Sequence, residues 1–458
     1  MTNLKSYEEY KDSGVEWIGS IPKHWGVRKL SSIADTITDF VASGSFESIN
    51  KNVKYLDEPD YAMLVRTIDL SNKSNRKPVY VSESAYKFLS NSNLFGGELI
   101  LSNIGSVGNV YMYQPLYKHA TLAPNAIMVK MKENNRFYYY WFLNPLVNEA
   151  LKLIGSNAVQ IKFNKTQLRQ FLVVQPSVEE QELISDFLDK KCSKIDEVIS
   201  LKEKQIETLQ KYRQSLITET VTRGLNPNTK MKESNVDWIG EIPEHWNVKR
   251  LGFLGGLQNG ISKSSENFGF GYPFVSYGDV YKNMELPKEV DGLVNSSRSD
   301  RNIYSVKKGD VFFTRTSETI EEIGFTSTCL ETIEDATFAG FLIRFRPRTN
   351  ELTPNYSKYF FRSEIHRKYF VKEMNIVTRA SLSQGLLKKL PVVLPSLEEQ
   401  QQIADHLDKK CSYIEDLINK KQQFIKEIET YKKSLIYETV TGKIDVRNYS
   451  ENGLEVNL

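Results

Sequence analysis

The chain has 458 residues, of which 40% are hydrophobic and 11% aromatic, and its formal net charge at pH 7 is +3. This length predicts about three domains with sizeable cores. The longest apolar runs are shorter than a membrane span and the N-terminus lacks the apolar core of a signal peptide, so a cytoplasmic protein without membrane contact is expected. The three cysteines have no CxxC spacing, which predicts buried thiols.

Two segments of the chain occur twice. The segment Trp17–Trp25, WIGSIPKHW, returns as Trp238–Trp246, WIGEIPEHW, and Pro176–Gln181, PSVEEQ, returns as Pro395–Gln400, PSLEEQ. Residues 173–222 and 392–441 are identical at 27 of 50 aligned positions. Between these repeats lie residues 31–172 (the first insert) and 252–391 (the second insert), which scarcely resemble each other. The pattern predicts a duplicated frame that holds two different inserts.

Both inserts are predicted to be mixed α/β globules with the same order of elements. Alternating and continuous apolar runs predict strands, and aromatic-rich stretches near the end of each insert predict a helix. In the first insert these are strands Tyr61–Leu70, Glu98–Ser102 and Ala126–Lys130 and a helix from Arg136 to Ile154. In the second they are strands Tyr272–Val280, Gly309–Arg315 and Phe341–Arg346 and a helix from Asn355 to Met374.

The inserts are the basic parts of the chain. The first has 15 Lys and Arg against 11 Asp and Glu, and the second has 19 against 16, so the remainder is acidic. A polyanion such as DNA is therefore a plausible partner. Side chains suited to base edges or phosphates follow the predicted strands at matching places; the candidates are Arg66, Thr67, Ser102, Asn103, Ser106, Asn157, Gln160, Lys162, Lys165, Tyr277, Thr314, Arg315, Thr316, Arg379, Ser381, Ser383 and Gln384. For each residue alone a turn or a solvated surface is the favoured interpretation, and it is the recurrence at matching places in two dissimilar inserts that favours DNA contact.

The repeated stretches after the inserts predict two long helices. Each begins with a capping box, Ser177 with Glu180 and Ser396 with Glu399, and each ends near a glycine, Gly224 or Gly442. Apolar residues at steps of three and four form matching seams: Leu188, Cys192, Ile195, Ile199, Ile206, Leu209 and Leu216, and Leu407, Cys411, Ile414, Ile418, Ile425, Ile428 and Leu435. The helices are expected to pair with each other as an antiparallel coiled coil. About 45 residues make a helix about 65 Å long, which suits a ruler along DNA.

Motifs for catalysis are absent from the sequence. It contains no phosphate-binding loop, dinucleotide fingerprint, nucleophile elbow or zinc-binding HExxH helix. Asn144-Pro-Leu-Val147 lacks the second proline and the aromatic residue of the methyltransferase motif that it partly matches. His24 and His245, inside the repeated tryptophan segments, are expected to be packing residues. No metal site or bound cofactor is predicted.

The duplicated tryptophan segments, the PSxEEQ helix starts and the two heptad helices between dissimilar inserts resemble the specificity subunits of type I restriction-modification enzymes. The resemblance covers nearly the whole chain. It implies an α+β protein in which two target recognition domains each read half of an asymmetric DNA site, while the paired helices set the spacer. The implied divisions are an N-terminal repeat (1–30), recognition domain 1 (31–175), a helical spacer (176–225), a second repeat (226–251), recognition domain 2 (252–394), a second spacer (395–445) and a tail (446–458).

The resemblance also implies partners. These are double-stranded DNA, two methyltransferase subunits and motor-nuclease restriction subunits, with S-adenosylmethionine, ATP and Mg²⁺ bound by the partner subunits. Three other interpretations of the sequence remain at this stage: an enzyme in its own right, which the missing motifs oppose, a stand-alone DNA-binding regulator, and a coiled-coil scaffold that binds only proteins.

Overall fold

The computed structural model describes residues 5–71, 76–155, 162–317, 323–373, 380–447 and 449. The chain divides into two compact units, one formed by Met1–Leu201 with Gln423–Leu458 and the other by Lys202–Gln422. Each unit therefore contains one insert, one tryptophan segment and part of each long helix. In the part of the chain that is described, no helix combines the length and apolarity needed to cross a membrane.

The first unit is built on short antiparallel pairs and two sheets. A hairpin joins Tyr10–Asp12 to Ser20–Pro22, and Gly26–Lys29 pairs with Leu172–Gln175 at the two ends of the first insert. One sheet has the spatial order Ala34–Asp39, Ala126–Met131, Leu99–Ser102, Val110–Met112, and the other has the order Tyr80–Val81, Ala62–Val65, Ala120–Leu122, Asn93–Leu94. The helices before the central one are Leu30–Ile33, Phe46–Asn52, Glu83–Phe88, Asn135–Leu143, Pro145–Leu153 and Lys165–Gln170, with 3₁₀ turns at Phe40–Ser43 and Ser90–Ser92.

The second unit repeats this plan. Met231–Glu233 pairs with Glu241–Pro243, and Asn247–Arg250 pairs with Pro391–Leu394. One sheet has the order Gly255–Asn259, Leu342–Pro347, Val311–Thr314, Thr326–Thr328, another has the order Leu293–Val294, Phe268–Val275, Thr337–Phe338, and Thr316–Ser317 pairs with Ala380–Ser381. The shorter helices are Leu251–Leu254, Tyr277–Lys282, Arg298–Ile303, Pro354–Phe360, Glu364–Glu373 and Gln384–Lys389, with a 3₁₀ turn at Ser265–Asn267.

Two long helices follow the inserts, as the seams predict: Val178–Arg223 (the central helix) and Leu397–Val440 (the C-terminal helix). In the second unit they run antiparallel, because Gln205 contacts Lys421 at 2.7 Å while Arg213 pairs with Glu415 at 2.5 Å. In the first unit Lys432 pairs with Asp196 at 2.7 Å. The antiparallel coiled coil is therefore confirmed. Each predicted seam residue is buried or half-buried, and the cysteine thiols are buried and free.

Among the apolar clusters of each unit, one joins the frame to the insert. In the first unit the core includes Trp25, Val173, Leu188 and Val440. The corresponding residues Trp246, Val392, Leu407 and Val221 belong to the core of the second unit. The same four frame positions thus hold each insert, whatever the sequence of the insert.

Both predicted insert helices are broken in the structure. The helix expected from Arg136 to Ile154 is two helices that meet at Asn144, whose backbone is extended (ψ 128°) and whose side chain accepts a bond from the Leu146 amide. The cause is Pro145, which disfavours a helical residue before it. The helix expected from Asn355 to Met374 begins at Pro354, stops at Phe360 and resumes at Glu364, and Met374 lies outside the described residues.

Two predicted strands are too long. The segment Tyr272–Val280 leaves its strand at Val275, and a helix begins at Tyr277 because Ser276 and Asp279 form a capping box. Tyr277 therefore lies on a helix rather than a strand, and its ring stacks on Tyr281. The segment Tyr61–Leu70 is a strand only from Ala62 to Val65. The other four predicted strands lie within two residues of their expected bounds.

Candidate nucleic-acid interface

The first tryptophan segment makes hydrogen bonds to the start of the central helix and packs against the end of the C-terminal helix. The Trp25 indole donates to Glu180 Oε1 at 3.3 Å, the Tyr7 hydroxyl donates to the same oxygen at 3.2 Å, and His24 Nε2 lies 2.9 Å from Oε2. Glu180 is in the first turn of the central helix. On its other side Trp25 lies against Gly442, at the end of the C-terminal helix, where a Cβ would come within 3.2 Å of the indole. We call this cluster the first frame joint.

The second unit has the same arrangement with the roles of the helices exchanged. The Trp246 indole donates to Glu399 Oε1 at 3.1 Å and His245 Nε2 lies 2.8 Å from it, while Trp246 lies against Gly224. Here Glu399 starts the C-terminal helix and Gly224 follows the central one. We call this cluster the second frame joint. Both glycines have positive φ, 71° and 74°, so they end their helices in the left-handed region and leave room for the indole.

The remaining residues of the PSxEEQ motif secure the helix starts. Ser177 and Ser396 accept bonds from the amides of Glu180 and Glu399, each at 3.2 Å, as the capping boxes predict. The glutamine that follows is fully buried in both repeats, and its side-chain amide donates to the carbonyl oxygen of the motif's proline at 3.1 Å. The repeated motif is therefore a structural element that starts each helix at a fixed place.

Each insert is also tied to the adjacent long helix by a tyrosine. The Tyr140 hydroxyl donates to Asp189 at 2.7 Å in the first unit, and the Tyr359 hydroxyl donates to Asp408 at 2.6 Å in the second. Burial, followed by these aspartates, raises the pKa of both tyrosines, so the hydroxyls stay protonated donors. The two aspartates occupy equivalent positions of the repeat. The frame thus fixes the orientation of each insert within its unit.

A cluster of polar residues lies where the antiparallel sheet of the first insert meets the segment before helix Lys165–Gln170. The Asn103 backbone amide donates to Asn125 O at 3.3 Å, and the Asn103 carbonyl oxygen accepts from the Phe163 backbone amide at 3.2 Å. Beside them Lys165 pairs with Asp39 at 2.8 Å. A cavity of about 380 Å³ is lined by these neighbours, including Asp39, Asn103, Asn125, Lys162 and Asn164. We call this cluster the first junction.

The second insert has the same backbone bonds at the corresponding place, which we call the second junction. The Arg315 amide donates to Phe341 O at 2.9 Å, and Arg315 O accepts from the Leu382 amide at 2.7 Å. Where the first junction has the ion pair of Lys165 with Asp39, the second has a hydrogen bond of 3.0 Å from Gln384 to Asn259. The following helices are capped by Asn164 and Ser383.

The two junctions therefore share a backbone and differ in side chains. Asn103 corresponds to Arg315, Lys162 to Ser381, and Lys165 to Gln384. In the frame joints the opposite holds, since histidine, tryptophan, glutamate and glycine recur. The frame joints are therefore constant between the two units, and the junctions are variable.

Comparison with known proteins also finds two repeats in the chain. The family model of the type I restriction modification DNA specificity domain matches the chain twice, over residues 22–211 and 243–428. The chain belongs to this family. Its relatives include a protein of Methanocaldococcus jannaschii named for the specificity subunit of the type I restriction enzyme MjaX, 26% identical over 97% of this chain and 99% of the relative. The EcoKI specificity subunit of Escherichia coli K12 is 22% identical over 87% and 84% of the two chains.

A solved structure from a study of complex assembly and conformational transition in a type I R-M system has the same fold. It matches with a TM-score of 0.65 over 92% of this chain and 98% of the other, at 13% identity. The resemblance drawn from the motifs is thus confirmed: the chain is a type I specificity subunit with two DNA recognition domains.

The structure brings eight of the seventeen predicted DNA-contact residues of this specificity subunit to the two junctions. Asn103, Lys162 and Lys165 lie at the first, and Arg315, Thr316, Ser381, Ser383 and Gln384 lie at the second; Thr316 and Ser381 are paired across two short strands. Ser102 and Thr314 lie directly beneath, and both are buried. Ser106 is exposed on the loop after Leu99–Ser102.

Other candidates lie elsewhere. Arg66 and Thr67 follow the strand Ala62–Val65 of the other sheet, and the Arg66 guanidinium pairs with Asp69 at 2.6 Å. Tyr277 starts its helix near Tyr281. Asn157, Gln160 and Arg379 lie outside the described residues.

Two sets of contacts were not predicted. The link from His24 and Trp25 to Glu180 spans 156 and 155 positions of sequence, and the only signal for it is that both motifs are duplicated together. The partners of Lys165 and Gln384, Asp39 and Asn259, stand at the far ends of the first strands of their inserts. The only sequence signal for these two contacts is that each pair of residues occupies matching positions in the two inserts.

Proposed function

We propose that each insert reads one half of an asymmetric, bipartite DNA site through its junction. The observation that carries this proposal is the pair of junctions, which place different side chains on the same backbone. An arginine suits the O6 and N7 atoms of guanine, and an asparagine or glutamine suits adenine. In the first junction the exposed side chain of Lys162 is placed to contact a base edge or a phosphate, while the Asn103 side-chain amide donates to Phe163 O at 3.0 Å and so holds the segment that follows Lys162. The positive charge of the inserts favours the phosphates.

The paired helices are proposed to set the number of base pairs between the two halves. The central helix has 46 residues and the C-terminal helix has 44, which corresponds to about 65–70 Å each at 1.5 Å per residue. The seam residues are buried or half-buried within each unit, which holds the two helices together there. Since B-DNA rises about 3.4 Å per base pair, this length is sufficient to span an unread spacer.

The frame is proposed to bind the partner subunits. The frame repeats the same residues in both units, which suits two copies of one partner, and we infer that these are methyltransferase subunits, with restriction subunits joining the complex. S-adenosylmethionine, ATP and Mg²⁺ chemistry is assigned to those partners. In this proposal the specificity subunit supplies the reading of DNA and no catalytic group.

A domain exchange tests the reading function. Residues 252–390 are replaced by residues 31–171, with the flanking strands Asn247–Arg250 and Pro391–Leu394 kept in register as their counterparts are. The complex is reconstituted with its methyltransferase and methylated adenines are mapped across genomic DNA. Both halves of the modified site should then carry the sequence that the first insert reads. An unchanged site, or methylation by the complex that does not require this chain, would refute the proposal.

A paired insertion tests the spacer function. One heptad is added to each long helix between Leu201 and Lys202 and between Gln422 and Gln423, which keeps the seams in phase. Seven residues lengthen the helical path by about 10 Å, or about three base pairs. The half-site sequences should persist while the spacer grows. If the spacer stays the same in a complex that still methylates DNA, the helices do not set it.

A further inference from the structure

Each junction carries one phenylalanine whose side chain is largely exposed. Phe46 in the first insert is 74% exposed and lines the same cavity as Asn103 and Lys162. Phe341 in the second is 65% exposed, and its carbonyl oxygen accepts the bond from the Arg315 amide. An exposed phenylalanine forfeits the free energy of burial. Two of them at the two proposed reading surfaces call for an apolar partner.

The phenylalanines come from different elements. Phe46 is the first residue of helix Phe46–Asn52, which Ser45 caps. Phe341 lies in the connection between strands Thr337–Phe338 and Leu342–Pro347, at the place that Asn125 holds in the first insert. The shared backbone therefore does not explain why an aromatic side chain is present at both. Contact with a bound partner would account for both.

The connection that carries Phe341 is firmly held. The Leu342 amide donates to Ala339 O at 2.9 Å, and a Cβ at Gly340 would lie 2.5 Å from Ser262 Oγ, so the segment is tightly packed beside Phe341. The backbone that carries the Phe341 ring therefore needs little further ordering when the ring binds. The ring is suited to a small apolar group at a fixed position rather than to an adaptable surface.

We propose that Phe46 and Phe341 are specificity-determining residues that contact the C5-methyl group of a thymine in the half-site read by their own insert. This inference rests on the proposed DNA-reading function. The thymine methyl is the only apolar group on the base edges of the major groove, and phenylalanine is among the side chains that contact it. The neighbouring amide, ammonium and guanidinium groups would engage the hydrogen-bonding edges of adjacent bases in the same groove.

The test uses the assembled methyltransferase complex and duplexes that carry its site, once mapped. Each thymine of the half-site read by the second insert is replaced in turn by deoxyuridine, which removes only the methyl group. For the unaltered complex, one replacement should weaken binding about four-fold, the equivalent of ~0.8 kcal/mol for one buried methyl group. The Phe341→Ala complex should bind the thymine duplex about four-fold more weakly and show no further loss with deoxyuridine.

Matched controls are available in both inserts. Phe253 is 74% exposed and precedes strand Gly255–Asn259, so it lies at the end of that strand away from the second junction. Phe95 is 76% exposed and precedes strand Leu99–Ser102, at the end away from the first junction. Phe253→Ala and Phe95→Ala should retain the four-fold preference for thymine over uracil. Phe46→Ala should lose it in the half-site read by the first insert and keep it in the other.

The proposal is overturned if deoxyuridine costs the Phe341→Ala complex as much as the unaltered one at every position, or if no replacement affects the unaltered complex. Either result would leave the reading function intact, provided that binding still requires the mapped site. Site recognition that persists without this chain would instead refute the reading function itself.

Discussion

The first frame joint should be more sensitive to loss of its glutamate than the second. Glu180→Ala removes the acceptor for two buried donors, the Tyr7 hydroxyl and the Trp25 indole, which are 4% and 0% exposed. Glu399→Ala removes the acceptor for one buried donor, the Trp246 indole, which is 1% exposed. The histidine side chain is about half-exposed in each joint and regains water.

The magnitude follows from the number of donors left unpaired. A buried donor without its partner costs about 1–3 kcal/mol. Local stability at the start of the central helix should therefore fall by about 2–6 kcal/mol in Glu180→Ala, and at the start of the C-terminal helix by about 1–3 kcal/mol in Glu399→Ala. The serine caps remain in both variants, because Ser177 and Ser396 accept from backbone amides.

Hydrogen exchange measures the local stability of each helix start separately. A global unfolding curve does not, because it combines the two units of the chain. Glu179→Ala and Glu398→Ala are matched controls, since both residues are exposed in the same turns. They should change protection by less than about 0.5 kcal/mol. An effect of Glu399→Ala equal to or greater than that of Glu180→Ala, or a control as damaging as its neighbour, would refute the reasoning.

Three further predictions follow from the same contacts. Burial alone would raise the pKa of the Glu399 carboxyl, but its hydrogen-bond partners in the second frame joint outweigh burial and lower this pKa. The ionised carboxylate therefore stabilises the folded protein at neutral pH, and this stabilisation is lost as the pH falls through the folded pKa. Exchange protection at the start of the C-terminal helix should decrease in acid, and it should decrease less in Glu399→Gln. Burial raises the pKa of the Cys192 thiol to about 11 and that of Cys329 to about 12, so native protein at pH 8 should resist alkylation that proceeds rapidly in denaturant; rapid native labelling would contradict this. Asp408→Ala leaves the buried Tyr359 hydroxyl without its acceptor and takes one of two carboxylate partners from the buried Lys358, so helix Pro354–Phe360 should lose at least about 1–3 kcal/mol of stability in exchange experiments; unchanged protection there would contradict the tie between insert and frame.

The repeats made the frame accessible to prediction. Capping serines, terminal glycines and a seam at steps of three and four are local signals, and the two helices begin, end and pair as these signals indicate. The insert strands were placed because their apolar runs are continuous. The two breaks in the insert helices have different origins: Pro145 marks the first in the sequence, whereas the aromatic run around Phe361 conceals the second.

Tertiary contacts between distant residues were beyond the sequence. Nothing near Trp25 indicates that its indole meets Glu180, because the partner lies in another element and its identity depends on the fold. The same holds for Lys165 with Asp39. A single chain contains only one indirect signal of this kind, which is that the same pair of motifs, or the same pair of positions, occurs twice.

The most direct test of the account is a map of methylated adenines for complexes that carry Asn103→Ala or Arg315→Ala, one substitution at the corresponding place in each junction. If each junction reads its own half-site, Asn103→Ala should relax the sequence at one half, because it releases the segment of Phe163 that follows Lys162, and Arg315→Ala should relax the other, with the spacer unchanged in both. For Arg315, the loss of one bidentate base contact corresponds to about 1–3 kcal/mol of discrimination. Relaxation of the same half by both substitutions, or of neither half while methylation continues, would contradict the account.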